Sequence, residues 1–91
     1  MEIEEKKNGR KYNDKLNVIG SVIREYREKN GLSLTDLSKK LQLYALDIPK
    51  NSLQRLEMGN RIITDYELAV FSKIFNVTTD TLLNEFLKEI E

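Results

Sequence analysis

Cysteine and histidine are both missing from this chain of 91 residues. Without cysteine there is no disulfide and no thiolate metal site, and without histidine there is neither the commonest general base nor the commonest metal ligand. A glycine-rich loop for phosphate and paired carboxylates in an evident pocket are missing as well. The sequence therefore predicts no enzyme, no metal site and no cofactor.

Long apolar runs are missing too. No stretch approaches the roughly 20 residues that a membrane-spanning helix needs, and residues 1–11 are charged and lack the apolar segment of a signal peptide. A chain of this length forms one small domain with a modest core. We therefore expect a cytoplasmic, all-helical protein that does not bind a membrane.

Charge is balanced over the whole chain but not along it. Residues 1–32 carry eight basic and six acidic residues, residues 33–64 carry five and three, and residues 65–91 carry two and six. The zero net charge argues against a nucleic-acid partner, whereas the distribution is compatible with one surface that faces phosphate and another that faces away. Scattered charge that only keeps the protein in solution remains the alternative.

The first 16 residues differ in composition from the rest. They are mostly charged, with Asn and Gly and little apolar content, so we predict a flexible N-terminal arm over residues 1–16 and a folded domain over residues 17–91. Basic side chains of the arm could contact phosphates or enter a minor groove. The favoured interpretation is a solvated terminus, because the glutamates of the arm offset much of its charge.

Five helices are predicted in the domain from apolar periodicity and from start and stop signals. The first runs from Asn17, its N-cap, to Lys29. Ser33 and Asp36 begin the second helix in the pattern of a capping box. A connection of mixed apolar and polar residues follows over 42–48, and its apolar side chains predict that it packs against the body.

The fourth and fifth helices are predicted from similar signals. Thr64 and Glu67 form a capping box at the start of the fourth helix, and Asn76 suits the left-handed residue that ends it. The fifth helix is expected from about Thr78 toward Ile90, and it is apolar over a wide arc. That arc serves either the monomer core or a dimer seam, and we favour dimerisation.

The stretch over residues 47–61 predicts a short third helix with two different faces. Leu53 and Leu56 lie three residues apart and therefore share one side of a helix. Gly59 stands where a helix ends with a positive φ angle. The other side and the start carry side chains of the types that pair with guanine or adenine in the major groove: Lys50, Asn51, Gln54 and Arg55.

The joint order of these features resembles the lambda-repressor-like, Cro-type helix-turn-helix family, in a branch with a longer turn. The resemblance covers residues 17–84. It implies an all-α, five-helix lambda-repressor-like DNA-binding domain. The segments that carry it are IGSVIREYR (19–27), GLS (31–33), LSKKL (37–41), SLQRLEMGNR (52–61), DYEL (65–68) and FNVTTDTLL (75–83).

By this resemblance the chain is a sequence-specific DNA-binding transcriptional regulator, expected to be a repressor, that binds double-stranded DNA as a homodimer. The third helix would lie in the major groove. Arg27 and Glu57 would form a structural ion pair between the first and third helices. The implied DNA-binding residues are Lys50, Asn51, Gln54 and Arg55, with Asn60 and Arg61 at the phosphates.

The assignment of individual contacts is less definite than the family. Arg55 is favoured as a guanine reader, whereas Lys50 suits a phosphate as well as a base. Asn51 either reads adenine or caps the helix locally. Gln54 is more often simply exposed, and Tyr44 either reaches the DNA backbone or, as we favour, packs against the connection.

Two departures from the family pattern support an alternative function. The family often has a glutamine near the start of the second helix that contacts phosphate, and this chain has Leu34 there. The connection before the third helix is about five residues longer than the commonest pattern. The alternative is a protein-interaction module of the same fold, such as an antitoxin or an adaptor.

Overall fold

The computed structural model describes residues 12–91, so most of the predicted N-terminal arm lies outside the described residues. Within this range the regular structure is helical, with one isolated bridge between Tyr12 and Lys15. The predicted all-α class is confirmed. The helices are α1 Gly20–Lys29, α2 Leu34–Gln42, α3 Lys50–Glu57, α4 Asp65–Phe75, α5 Thr79–Leu82 and α6 Asn84–Glu89.

Two helices begin with the capping boxes that the sequence predicts. At α2 the hydroxyl of Ser33 accepts the backbone N–H of Asp36, and the carboxylate of Asp36 accepts the N–H of Ser33, both at 2.9 Å. At α4 Thr64 and Glu67 make the same reciprocal pair at 3.3 and 3.0 Å. Each box satisfies two backbone donors that a helix start would otherwise leave open.

The first helix begins three residues later than predicted. Asn17 lies outside α1, but its side-chain oxygen accepts the backbone N–H groups of Ile19 at 3.2 Å and Gly20 at 2.7 Å. Asn17 therefore supplies the predicted capping acceptor, although it does so from three residues before the helix.

The predicted fifth helix is two helices with a break at Leu83. That residue has φ −92° and ψ 1°, ends α5 and begins α6. Thr78 caps α5 by accepting the N–H of Thr81 at 3.0 Å. Neither Gly nor Pro marks the break, so apolar spacing alone predicted one continuous helix.

The core lies between α1, α2, α3 and α4. α3 packs against both α1 and α2, and α4 also contacts both of them. Most of the predicted apolar positions are buried, with Ile23, Leu37 and Leu53 fully inaccessible, whereas Leu87 and Ile90 are exposed. The buried apolar side chains are Ile19, Ile23, Leu37, Leu41, Ile48, Leu53, Leu56, Phe71, Phe75 and Leu82.

The connection between α2 and α3 packs against the body only in part. Ile48 is buried and Leu46 is half-buried, whereas Leu43 is exposed. Leu43 therefore departs from the prediction that the apolar side chains of residues 42–48 pack against the body, because hydrophobicity alone does not say which residue of a loop turns inward. Pro49 follows with φ −69° and ψ 163° as the N-cap of α3, so the chain is extended immediately before the helix.

Candidate nucleic-acid interface

The polar face predicted for the third helix is a solvent-facing surface of α3. Leu53 and Leu56 are fully buried on the inner side. Because one side of α3 is fixed in the core, the other side is presented to solvent in a defined orientation. The exposed side chains there are Lys50, Asn51, Gln54 and Arg55.

The start of α3 also has open backbone donors. Pro49 occupies the N-cap position and provides no side-chain acceptor. The first N–H groups of a helix lack partners within the helix and carry partial positive charge. Lys50 adds a full positive charge in the first turn, so this end of α3 suits an anion.

The guanidinium of Arg55 makes one long hydrogen bond within the described residues. Its nearest hydrogen-bond partner among the described residues is the carbonyl of Asn60, at 3.5 Å from Nη2. This is a long contact, and no acidic partner of Arg55 occurs within residues 12–91. As far as residues 12–91 are concerned, the planar donor group of Arg55 is therefore available to an external acceptor.

The turn after α3 places Asn60 and Arg61 differently. Gly59 has φ +82°, a conformation that favours glycine, and Asn60 is exposed. Arg61 is engaged by Glu67, with its two terminal nitrogens 3.1 and 3.2 Å from the two carboxylate oxygens. Any phosphate contact by Arg61 would therefore involve a guanidinium that is already paired with Glu67.

This ion pair affects the titration of Glu67. Burial acts to raise the pKa of the carboxyl, but the hydrogen bonds from Arg61 and from the backbone of Thr64 outweigh it. The pKa of Glu67 therefore lies below its usual value, and the carboxylate stays charged. The pair and the capping box together connect the turn after α3 to the start of α4.

The predicted ion pair between Arg27 and Glu57 is confirmed. Nε of Arg27 donates to Oε2 of Glu57 at 2.7 Å, and Nη2 donates to Oε1 at 3.1 Å. Nη1 also donates to the carbonyl of Leu32 at 2.8 Å. One guanidinium therefore links α1, the end of α3 and the segment before α2, and its hydrogen bond to Glu57 raises the pKa of Arg27.

Asn17 positions the end of α3, a role that the sequence did not indicate. Its amide nitrogen donates to the carbonyls of Leu56 at 3.0 Å and Arg61 at 2.8 Å. Gly20 permits this close approach, because a Cβ there would lie 2.9 Å from the carbonyl oxygen of Glu57. The sequence signals for this role are the small residue at position 20 and the amide at position 17. Neither indicates the role by itself, because the contacted residues lie some 40 positions further along the chain.

The last residues of the predicted arm pack against the end of α3 and against α6. We call residues 12–16 the N-terminal turn. Lys15 donates from Nζ to the carbonyl of Met58 at 3.1 Å, and the N–H of Leu16 donates to Gly59 at 2.7 Å. The hydroxyl of Tyr12 donates to Glu89 at 3.0 Å. The N-terminal turn therefore connects the end of α3 to α6.

A cavity of about 290 Å³ lies beside the N-terminal turn, between α1, α3 and α6. Its lining combines polar side chains such as Asn17 and Glu85 with apolar ones such as Phe86. The cavity is separate from the exposed face of α3.

Within residues 12–91 no group of three or more potential ligands could hold a metal ion, and no helix is long and apolar enough to cross a membrane.

These elements define a helix-turn-helix unit, in which α3 is packed on α2 and exposes a polar face. The family model described as Helix-turn-helix matches residues 23–82, more than half of the chain. The chain therefore belongs to the lambda-repressor-like, Cro-type helix-turn-helix family, a DNA-binding and non-enzymatic type of domain found in transcriptional regulators. Searches of curated proteins and of solved structures gave no match.

Proposed function

We propose that the chain is a sequence-specific transcriptional repressor that reads double-stranded DNA in the major groove with α3. The observation that carries the proposal is the exposed face of α3. Long basic and amide side chains project from a helix whose opposite side is fixed in the core. A cytoplasmic location belongs to the same proposal.

The side-chain chemistry suggests separate roles along this face. Arg55 pairs with guanine through its planar donors, and Asn51 pairs with adenine through its amide. Gln54 follows Asn51 by three residues on the same face, where its amide can contact a neighbouring base. Lys50 lies at the positive end of α3, where it attracts phosphate as readily as it contacts a base edge.

The turn after α3 supplies the phosphate contacts in this proposal. Asn60 is exposed and offers amide donors. Arg61 contributes a positive charge while it remains paired with Glu67. Such contacts fix the position of the protein on the duplex without reading sequence.

We further propose that the repressor acts as a homodimer through α6. One copy presents one recognition helix, and two copies place two such helices in successive major grooves about 34 Å apart. The exposed large apolar side chains here are Leu87 in α6 and Ile90 immediately after it. Phe86 is half-buried and packs edge-on against Tyr12, with ring centroids 5.1 Å apart, so little of its surface is left for a dimer contact.

Selection from a random pool of duplex DNA tests the proposal. The protein is expected to enrich one palindromic motif and to bind it with an affinity that falls steeply as salt rises, because each neutralised phosphate releases counterions. Arg55→Ala should weaken binding to the enriched motif. Failure to enrich any motif, together with no mobility shift at low salt, would exclude a DNA-reading function for this chain.

A protein-interaction module is the second candidate function. Leu34 is half-buried against the core and provides no phosphate contact. Exposed apolar side chains also occur away from α3, notably Ile62 and Tyr66. Under this alternative a partner protein would protect α4 from hydrogen exchange while the purified chain alone would select no DNA.

A further inference from the structure

The connection between α2 and α3 carries the most exposed of the large apolar side chains in the described part of the chain. Leu43 has 83% of its surface in solvent, and Tyr44 beside it is also exposed. Burying a leucine stabilises a fold, and the neighbouring residues Leu41 and Ile48 are buried. The exposure of Leu43 therefore leaves an apolar group available to a partner.

The path of the connection is fixed by hydrogen bonds at both ends. The N–H of Leu46 donates to the carbonyl of Leu41 at 3.1 Å. The hydroxyl of Ser38 donates to the carbonyl of Ile48 at 2.7 Å. Between them Ala45 adopts the left-handed conformation, with φ +63°, which tightens the turn after Tyr44. The exposed pair is thus held on a defined backbone.

The charges near this pair favour a polyanion. Lys39 and Lys40 precede it at the end of α2, and Lys50 follows it at the start of α3, all three exposed. Asp47 is the acidic residue between them. Seven residues separate Leu43 from Lys50, which is at most about 25 Å of extended chain and less than the 34 Å or so of one turn of B-DNA. The pair is therefore close enough to the start of α3 for both to reach the same half-site.

We propose that Leu43 and Tyr44 form a second DNA contact beside the polar face of α3, an inference that rests on the proposed major-groove function. Leu43 has no polar side-chain atom, and the 5-methyl group of thymine is the apolar feature of the major-groove edge, so Leu43 packs against a thymine methyl. The hydroxyl of Tyr44 donates to a phosphate and fixes the position of the connection. The longer connection thereby adds one read base to those that α3 reads.

Thymine replacement tests the leucine contact. The full chain is used to select a duplex from a random pool, and each thymine of that duplex is then replaced in turn by deoxyuridine, which lacks the 5-methyl group. At one thymine the replacement should weaken binding about three- to tenfold, as expected for one lost apolar group. Leu43→Ala should weaken binding to the thymine duplex by a similar factor. In that variant, the deoxyuridine replacement at the same thymine should no longer change the affinity.

Substitutions distinguish the proposed contact of Leu43 from the base contacts of α3. Leu43→Met keeps an apolar side chain and should preserve most of the sensitivity to deoxyuridine, and Arg55→Ala should weaken binding without removing it. Tyr44→Phe should lower affinity for selected and unrelated duplexes alike, whereas Tyr66→Phe, an exposed tyrosine on α4, should change neither. Thermal unfolding of every variant establishes that the fold is retained.

Three outcomes would overturn the inference. In the first, Leu43→Ala binds every duplex as the parent does while Arg55→Ala binds more weakly. That result would leave the DNA function standing and assign Leu43 to a protein partner. A uniform loss on thymine and deoxyuridine duplexes would move Leu43 from the base edge to the DNA backbone. Absence of any DNA binding by the parent chain would overturn both this inference and the proposed function.

Discussion

Arg27 and Glu57 are joined by two hydrogen bonds, of 2.7 and 3.1 Å, although they are 30 positions apart in the sequence. Their side chains retain only 13% and 5% of their accessible surface. A carboxylate so deeply buried is costly without its partner. The pair therefore fixes the end of α3 to α1 and helps to set the angle at which the polar face of α3 is presented.

Arg27→Met should destabilise the protein by about 3 kcal/mol, because it leaves the carboxylate of Glu57 buried without a charged partner. Urea unfolding measures the loss. Arg24→Met is the matched control, since Arg24 pairs with Glu28 at 3.2 Å on the surface, where 61% and 54% of the two side chains are accessible. That control should cost less than about 0.5 kcal/mol. Equal effects of the two substitutions would show that the buried pair has no special role.

Gly20→Ala should destabilise the fold more than Gly31→Ala. A Cβ on Gly20 would clash with the backbone carbonyls of Leu56 and Glu57, which α3 cannot easily move. Gly31 has φ +68° but open space around it, so alanine there costs only the left-handed conformation, about 1–2 kcal/mol. Thermal unfolding of the two variants gives the comparison. A smaller loss for Gly20→Ala would mean that α1 and α3 separate without difficulty.

The stability of the fold should fall in acid partly because of Glu67. Its pKa is lower in the folded state than the ordinary value of 4.5. The stabilisation is therefore complete above pH 4.5 and is lost as the pH falls through the lower, folded-state value. Urea unfolding between pH 7 and pH 3 should give a steeper decline for the parent than for Glu67→Gln. Parallel curves for the two proteins would contradict the assigned shift.

Local signals explain why some parts of the fold were predictable. The capping boxes at Ser33 and Thr64 depend on residues three apart, so the sequence displays them directly. The helix-three face was predictable for a similar reason, since Leu53 and Leu56 define the inner side. The ion pair between Arg27 and Glu57 came from the family resemblance, because residues 30 positions apart carry no local signal.

Long-range contacts explain what the sequence did not predict. Tyr12 meets Glu89 and Phe86 from the other end of the chain, and composition alone assigned that tyrosine to a flexible arm. The break at Leu83 falls where the helical spacing of apolar residues continues without Gly or Pro. The engagement of Arg61 by Glu67 depends on the turn at Gly59, which sets where the two side chains meet.

Arg55→Ala should reduce binding to a selected duplex by roughly 1–3 kcal/mol and relax the preference at one base pair. The reason is the bidentate pairing that an arginine fork makes with guanine. Competition binding against duplexes with each base at that position measures the preference. Arg24→Ala, an exposed arginine on α1, should leave it unchanged. Equal loss on all duplexes would place Arg55 on the DNA backbone.

Assembly through α6 should be weak without DNA, because α6 has six residues and the exposed large apolar side chains there are only Leu87 within it and Ile90 just after it. Ile90 is 57% accessible and Leu87 is less so. Replacing both by aspartate should leave thermal stability largely intact and abolish cooperative binding to a palindrome, while binding to a single half-site persists. Tyr66→Asp, on the exposed side of α4, is the control and should keep cooperativity. Sedimentation that gives only monomer at high concentration, with one protein bound per palindrome, would rule out this dimer.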